Sequence, residues 1–437
     1  MGHILVLGAG MVARPLVHYL LEGGHEVTVA SRTLSKAERL VEGFAKGQAL
    51  QWTVDDEPKL RELIQKADIV VSLLPYVYHV KVANICLNYR KHLVTTSYVS
   101  PDMQSLDNDA KSNDIILLNE IGLDPGIDHM SAMRMINKVK SHSGKVISFR
   151  SYCGALPAPE AADNPFKYKF SWSPRGVVLA ARNSARYMVD GKEVNVPSEL
   201  LFTHCSKINI KGVGELEVYP NRDSIPYIDK YSIHTVQTML RGTLRYPGWC
   251  KLWHSIGRLG LLGDKQLPLK GSTYREFMKH LLDTESDDIR KAVADYLGLD
   301  PHDEVLDKLE WVGLFADDPI PLDTGAALDV LTHRLLDKLQ YKEGEHDMVI
   351  MYHEVIAEYH NKTEKLTSTL IDYGTIGDDT AVARTVALPA AIGVKLILEG
   401  KIKLTGVQIP VVPEIYEPVL QELETLGIKL DETHSIC

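Results

Sequence analysis

The sequence predicts an α/β protein that opens with a parallel sheet covered by helices on both faces and continues into a mixed sheet and a helical stretch. Three observations predict it. The opening HILVLGAGMVARPLVHYLLEGGHEVTVASR reads as a strand, a glycine turn, a helix with its own Gly-Gly stop, and a second strand. Near-continuous apolar strands recur at 68–75, 92–98 and 115–122 with helical stretches between them, as expected for strands buried on both faces. After Gly122 the pattern turns to strand-like alternation broken by turn residues.

The later elements follow in order. GKVISFRSYCGALP reads as a strand, and KINIKGVGELEVYPNRDS alternates as a strand pair would. From about Ser255 to Lys342 helical periodicity takes over; Thr273 and Glu276 have capping-box spacing, and Gly298 stands where a helix would stop. MVIMYHEVIAEY and EKLTSTLIDYG, separated by residues 360–363, read as a hairpin. TAVARTVALPAAIGVKLILEGKIKLTG is a long apolar helix ending near Gly400, expected to pack back on the first domain.

A chain of 437 residues exceeds one ordinary core and predicts two or three domains. With 45% hydrophobic and 24% charged residues, it has the composition of a folded soluble protein. No apolar stretch approaches about 18 uninterrupted residues, so no membrane span is expected. The first strand starts close to Met1, which leaves no room for a secretory leader and points to the cytoplasm. The five cysteines are odd in number, scattered and without a CxxC pair, so neither disulfides nor a metal site is expected. A formal charge of −10 argues against nucleic acid as a partner; an anionic substrate would need cations supplied by the site itself.

Gly8-Ala9-Gly10-Met11-Val12-Ala13 is a G-x-G-x-x-A between strand and helix. Gly8 permits the tight turn, Gly10 lets the backbone approach a pyrophosphate, and Ala13 lets the helix pack on the strand. A tight βα turn explains the glycines alone; their place between strand and helix favours a dinucleotide. Where an NAD site would hold a carboxylate for the ribose hydroxyls, this chain has Ser31-Arg32-Thr33. A guanidinium and two hydroxyls suit a 2′-phosphate, so NADP(H) is expected ahead of NAD(H), although a solvated arginine at a strand end is also ordinary.

Open parallel sheets bind ligands beyond the carboxyl ends of their strands, where residues 73–76, 96–98 and 122–125 fall. Ser97 and Tyr98 can hydrogen-bond a ligand or equally cap a strand. Asp124-Pro125-Gly126 holds a carboxylate at the crevice with its backbone fixed, Asp128 is expected to cap the next helix, and His129 to stand behind the site.

GLDPGIDHMSAM, YCGALPAP (152–159), YPNRDS (219–224) and RGTLRYPGW (241–249), in that order, resemble the glutamate-forming saccharopine dehydrogenases, or saccharopine reductases, over essentially the full chain. The resemblance implies a Rossmann domain at 1–125 completed by 386–437, an inserted mixed α/β domain at 126–254 and 343–385 for substrate and dimer contacts, and a small all-α domain at 255–342. It implies a homodimer that, in lysine metabolism, interconverts saccharopine, water and NADP⁺ with glutamate and aminoadipate semialdehyde. It places Tyr98, Asp124 and Cys153 near the reacting centre, with Cys153 positioning rather than attacking. It assigns substrate contact to Ser97, Tyr98, Asp124, Arg222, Thr243, Leu244 and Arg245. Cofactor contact goes to Gly8, Gly10, Met11, Val12, Ser31, Arg32, Thr33, Leu73, Thr96, Ser97, Leu123, Asp124 and Pro125. The substrate's three carboxylates suit guanidinium forks. Which group moves protons stays open. Two alternatives compete: a related reductive aminase such as carboxynorspermidine dehydrogenase, and an NADP-binding regulator without turnover. GLDPGIDH and TLRYPGW favour the first reading over the related aminase.

Overall fold

Ile4–Leu7 are all buried and form most of β1 (His3–Leu7), the centre of a seven-stranded sheet. Around it the chain lays down α1 (Ala13–Glu22), β2 (Glu26–Ser31), α2 (Leu34–Val41), β3 (Gly47–Gln51), α3 (Glu57–Lys66), β4 (Ile69–Ser72), α4 (His79–Tyr89), β5 (His92–Thr95), the short α5 (Pro101–Gln104) and α6 (Asp107–Ser112), and β6 (Ile116–Leu118). The strand order is β6-β5-β4-β1-β2-β3, with Gly406–Gln408 added beside β6, and every pair is parallel. That is the expected doubly wound sheet, and its order reverses between β1 and β4. The carboxyl ends of these two strands therefore open a crevice.

The computed structural model describes residues 2–437 and falls into two units, one running to Val146 and resuming over Met351–Cys437, the other Ile147–Ile350. In this division residues 126–146 and 351–385 fall in the first unit, and 147–254 shares the second with 255–342. The hairpin itself is as expected, Asp347–Glu358 and Thr363–Tyr373 closing through Tyr359 N–H to the Lys362 carbonyl at 2.8 Å. The apolar helix Ala381–Leu398 packs on α1 and ends before Gly400, whose φ is 67°. Its length and hydropathy would suit a membrane span, but 78% of it is buried inside the fold. It is a core helix.

β4, β5 and β6 each stop three or four residues before their expected ends at 75, 98 and 122. After Leu118 the chain peels away: Asn119 N–H bonds the Gln408 carbonyl, Glu120 adopts a φ of 55°, and its N–H bonds the Ser97 carbonyl at 3.1 Å. The residues expected at strand tips are thus loop residues.

In the second unit, β7 (Lys145–Pro157) lies parallel to Thr238–Arg245, which pairs antiparallel with Gly214–Pro220, itself antiparallel to Ser206–Ile210. The helical stretch has the expected capping box at Thr273–Glu276 and a left-handed cap at Gly298. It also carries a two-stranded pairing of Gln266–Pro268 with Thr324–Ala326, which an all-α expectation missed. Each of those strands is only three residues long, too short for periodicity to show.

Candidate active site

The glycine turn has the form the sequence predicts. Gly8 has a φ of 112°, and a Cβ there would sit 3.1 Å from the Leu73 carbonyl, so only glycine lets β1 and β4 approach. Gly10 differs: a Cβ there would meet no protein atom within 4 Å. Nothing in the fold requires glycine at that position, whereas a ligand lying against the backbone would. Val12 is the N-cap of α1 with no side-chain capping bond, and the helix has no acidic residue in its first turn. Its leading N–H groups suit an anion. Met11 is exposed, and Leu73 is fixed beside the turn by its N–H to the Leu7 carbonyl at 2.9 Å.

At the end of β2, Ser31 is buried while Arg32 and Thr33 are exposed, and Thr33 N–H reaches Ser31 Oγ at 3.4 Å. The Arg32 guanidinium has no carboxylate partner among the described residues. A dinucleotide with a 2′-phosphate fits this turn on both counts, the open space at Gly10 and the unpaired cation at Arg32.

The strand tips are tied together by a residue not singled out in the sequence. His79, at the start of α4, is buried; its Nδ1 lies 2.9 Å from Ser72 Oγ, and its Nε2 lies 2.8 Å from Ser97 Oγ and 3.0 Å from Thr95 Oγ1. Burial lowers its pKa to about 4. Ser97 is therefore engaged by the protein, and its hydroxyl first serves to join β4 to β5. A polar His on an otherwise apolar helix face, seven residues beyond the strand-end Ser72, was the available signal.

The structure brings Tyr98 and Asp124 together: Tyr98 Oη donates to Asp124 Oδ1 at 2.9 Å, and both side chains are half-buried. The loop beneath them is tightly closed, with Gly122 N–H to the Pro125 carbonyl at 2.9 Å and Ile127 N–H to the Gly122 carbonyl at 2.8 Å. The Asp124–Pro125 peptide is cis, and Gly126 has a φ of 148°. A Cβ on Gly126 would lie 2.0 Å from the Gly122 carbonyl oxygen, so no other residue fits. Leu123 and Pro125 are buried, which leaves mainly their backbone to a cofactor. Thr96, half-buried, packs against Gly122.

One expectation is corrected. Asp128 is not the N-cap of α7 (Ile127–Ser141); Gly126 is, because the chain is already helical at Ile127. From the first turn the Asp128 carboxylate reaches back to Gly126 N–H at 2.6 Å. His129 is fully buried behind the site, with Nε2 at 2.8 Å from Glu120 Oε2 and Nδ1 at 3.5 Å from Asp128 Oδ2. Glu120 also accepts the Val99 N–H at 3.0 Å. These buried groups hold the segments bearing Tyr98 and Asp124; Glu120 was not singled out, although the polar pair Asn119-Glu120 ending an apolar run was the available signal.

In the second unit, Cys153, Thr243 and Tyr219 stand in one cross-strand row, since Thr243 pairs with Cys153 on one side and Tyr219 on the other. Cys153 is buried and Thr243 half-buried. Leu244 points to the opposite face, fully buried, so it can offer a ligand only its backbone. Arg222 lies in the exposed turn after Gly214–Pro220 with a φ of 56°. Arg245 is only 6% exposed. Its Nη1 donates to the Leu244 carbonyl at 2.9 Å, and its guanidinium carbon lies 5.2 Å from the Tyr168 ring centre and 5.0 Å from that of Trp249. Its Nε has no hydrogen-bond partner, and no carboxylate pairs with it among the described residues. Its cross-strand neighbour Glu217 is turned to the N–H groups of Gly248 and Cys250 instead. A buried cation left this way favours an anionic ligand.

Residues 4–118 match the saccharopine dehydrogenase NADP binding domain, and 122–428 the saccharopine dehydrogenase C-terminal domain. The chain belongs to the saccharopine dehydrogenase family. Within it, the chain is 40% identical over 445 residues to the saccharopine dehydrogenase [NADP(+), L-glutamate-forming] of Pyricularia oryzae, covering 98% of each. It is 37% identical to the mitochondrial alpha-aminoadipic semialdehyde synthase of Bos taurus, covering 97% of this chain and 47% of that one. The apo saccharopine dehydrogenase (L-Glu forming) of Saccharomyces cerevisiae superposes with a TM-score of 0.91 at 38% identity, covering all of both chains.

Proposed function

We propose that this member of the saccharopine dehydrogenase family catalyses the reversible, NADP-dependent conversion of saccharopine and water to glutamate and 2-aminoadipate 6-semialdehyde, a step of lysine metabolism. The observation that carries the reading is Arg245, a buried guanidinium without an anion of its own in a chain matching glutamate-forming enzymes from end to end. Arg222 and Arg245 take substrate carboxylates, and Thr243 and the Leu244 backbone add polar contacts. Gly8, Gly10 and the start of α1 hold the pyrophosphate, while Arg32 with Ser31 and Thr33 holds the 2′-phosphate. The nicotinamide supplies hydride exchange at the C–N bond. Asp124, oriented by Tyr98, pairs with the substrate nitrogen or exchanges its proton, and Cys153 positions the reacting carbon's neighbours. A homodimer in the cytoplasm belongs to the same reading.

The test is NADPH oxidation by the purified protein with glutamate plus aminoadipate semialdehyde, repeated with NADH and with other amines. Turnover with glutamate and a preference for NADPH are expected. Tight NADPH binding without turnover of any amine and aldehyde pair would replace the enzyme by a regulator.

A further inference from the structure

The second unit brings together three side chains with no part in the proposed reaction. Cys205 precedes the strand Ser206–Ile210, Glu217 lies in the paired strand Gly214–Pro220, and Cys250 is the second residue of the helix Trp249–Arg258. The two sulfurs and a Glu217 carboxylate oxygen all lie within 4.8 Å of one another. We propose that Cys205, Glu217 and Cys250 form a binding site for a single thiophilic divalent cation, with zinc the best match.

The geometry is close to what such an ion needs. A tetrahedral ion with metal–sulfur bonds of about 2.3 Å separates its sulfurs by roughly 3.8 Å, so the observed cluster requires side-chain shifts on the order of 1 Å. Glu217 is already aimed. Its Oε1 accepts Gly248 N–H at 2.8 Å and its Oε2 accepts Cys250 N–H at 2.9 Å. Each oxygen keeps a second lone pair, and hydrogen bonds of this kind fix a ligating carboxylate without using it up. Two soft sulfurs with one oxygen select zinc over magnesium or calcium, which take all-oxygen shells. Cys250 is buried while Cys205 and Glu217 are half-buried, so the ion has a solvent side and room for water as a fourth ligand. The spacing hides the site from the sequence: the three ligands come from three elements, without a CxxC pair.

The experiment is a Co²⁺ titration of the full, freshly reduced chain, read by the sulfur-to-cobalt charge-transfer absorption, followed by displacement with Zn²⁺. One ion per chain is expected, with the band lost in Cys205→Ser and in Cys250→Ser. Glu217→Gln should weaken zinc about tenfold or more. Circular dichroism checks that each variant is folded, and the half-buried Cys205→Ser keeps the test decisive if Glu217→Gln or Cys250→Ser does not fold. Absence of the band in the reduced protein, or a band unchanged in folded Cys205→Ser, overturns the proposal. Recovery of a Cys205–Cys250 disulfide from unreduced protein, with no cobalt taken up after reduction, also overturns it and makes the pair a redox couple.

Discussion

Two side chains at the crevice illustrate how single groups set the chemistry of this sheet. Arg32 is a cation with no carboxylate partner, placed where a dinucleotide's ribose would lie, so reversing its charge acts on the cofactor without breaking a contact of the fold. In Arg32→Glu, NADPH affinity should fall by on the order of tenfold to a hundredfold while NADH binding is kept or improved. Fluorescence titration with both nucleotides checks this, and equal losses for the two would remove the 2′-phosphate from the account. His79 works the other way, as a neutral ring holding Ser72, Thr95 and Ser97 together. Its pKa is lowered from 6.5 to about 4 by burial, so the unfolded chain binds the proton more readily than the folded one. Its contribution is complete above about pH 6.5 and is lost as pH falls through about 4, a change of at most about 3 kcal/mol. Denaturant midpoints measured from pH 7.5 to 4 should show this decline in the parent protein and a flatter profile in His79→Gln.

At the level of elements, the loops rather than the strands carry the site, and two glycines separate what the fold needs from what a ligand needs. Gly126 closes the loop that presents Asp124, and an added Cβ would overlap the backbone of Gly122. Gly126→Ala should therefore destabilise the protein by at least about 2 kcal/mol. Gly10 faces open space, so Gly10→Ala should change stability by less than about 0.5 kcal/mol yet weaken NADPH binding by roughly tenfold. Thermal melts with and without NADPH distinguish the two; a Gly10→Ala protein that binds normally would count against a pyrophosphate at this turn. The same contrast explains what the sequence revealed. The glycine turn, the capping box at Thr273, the hairpin before Tyr373 and the apolar helix Ala381–Leu398 follow local periodicity and were legible. The ends of β4, β5 and β6 were missed: Leu73 and Leu74 continue the apolar run past β4, while the polar Thr96-Ser97 after β5 and Asn119-Glu120 after β6 were the signals for a stop. The links from His79 to Ser97, from His129 to Glu120 and among Cys205, Glu217 and Cys250 join segments that no local pattern relates.

For the whole molecule the governing quantity is charge. A chain with a formal charge of −10 that binds a tricarboxylate must keep some of its cations from its own acidic groups, and Arg245 is kept in this way. Glu217, its cross-strand neighbour, is occupied by two backbone N–H groups, while Tyr168 and Trp249 cover the guanidinium with rings that carry no formal charge. Holding a desolvated cation without its counter-ion lowers the stability of the free protein, and the aromatic contacts offset only part of that cost. Replacing it with an apolar chain of similar length should then separate stability from function. In Arg245→Met the ligand-free melting temperature should stay level or rise, whereas the KM for saccharopine should increase by roughly tenfold to a hundredfold with the KM for NADP⁺ little changed. The upward shift in melting temperature on adding saccharopine should disappear as well. If instead the free variant is strongly destabilised and both KM values move together, Arg245 is a structural residue held by its two aromatic rings, and the assignment of this guanidinium to a substrate carboxylate falls.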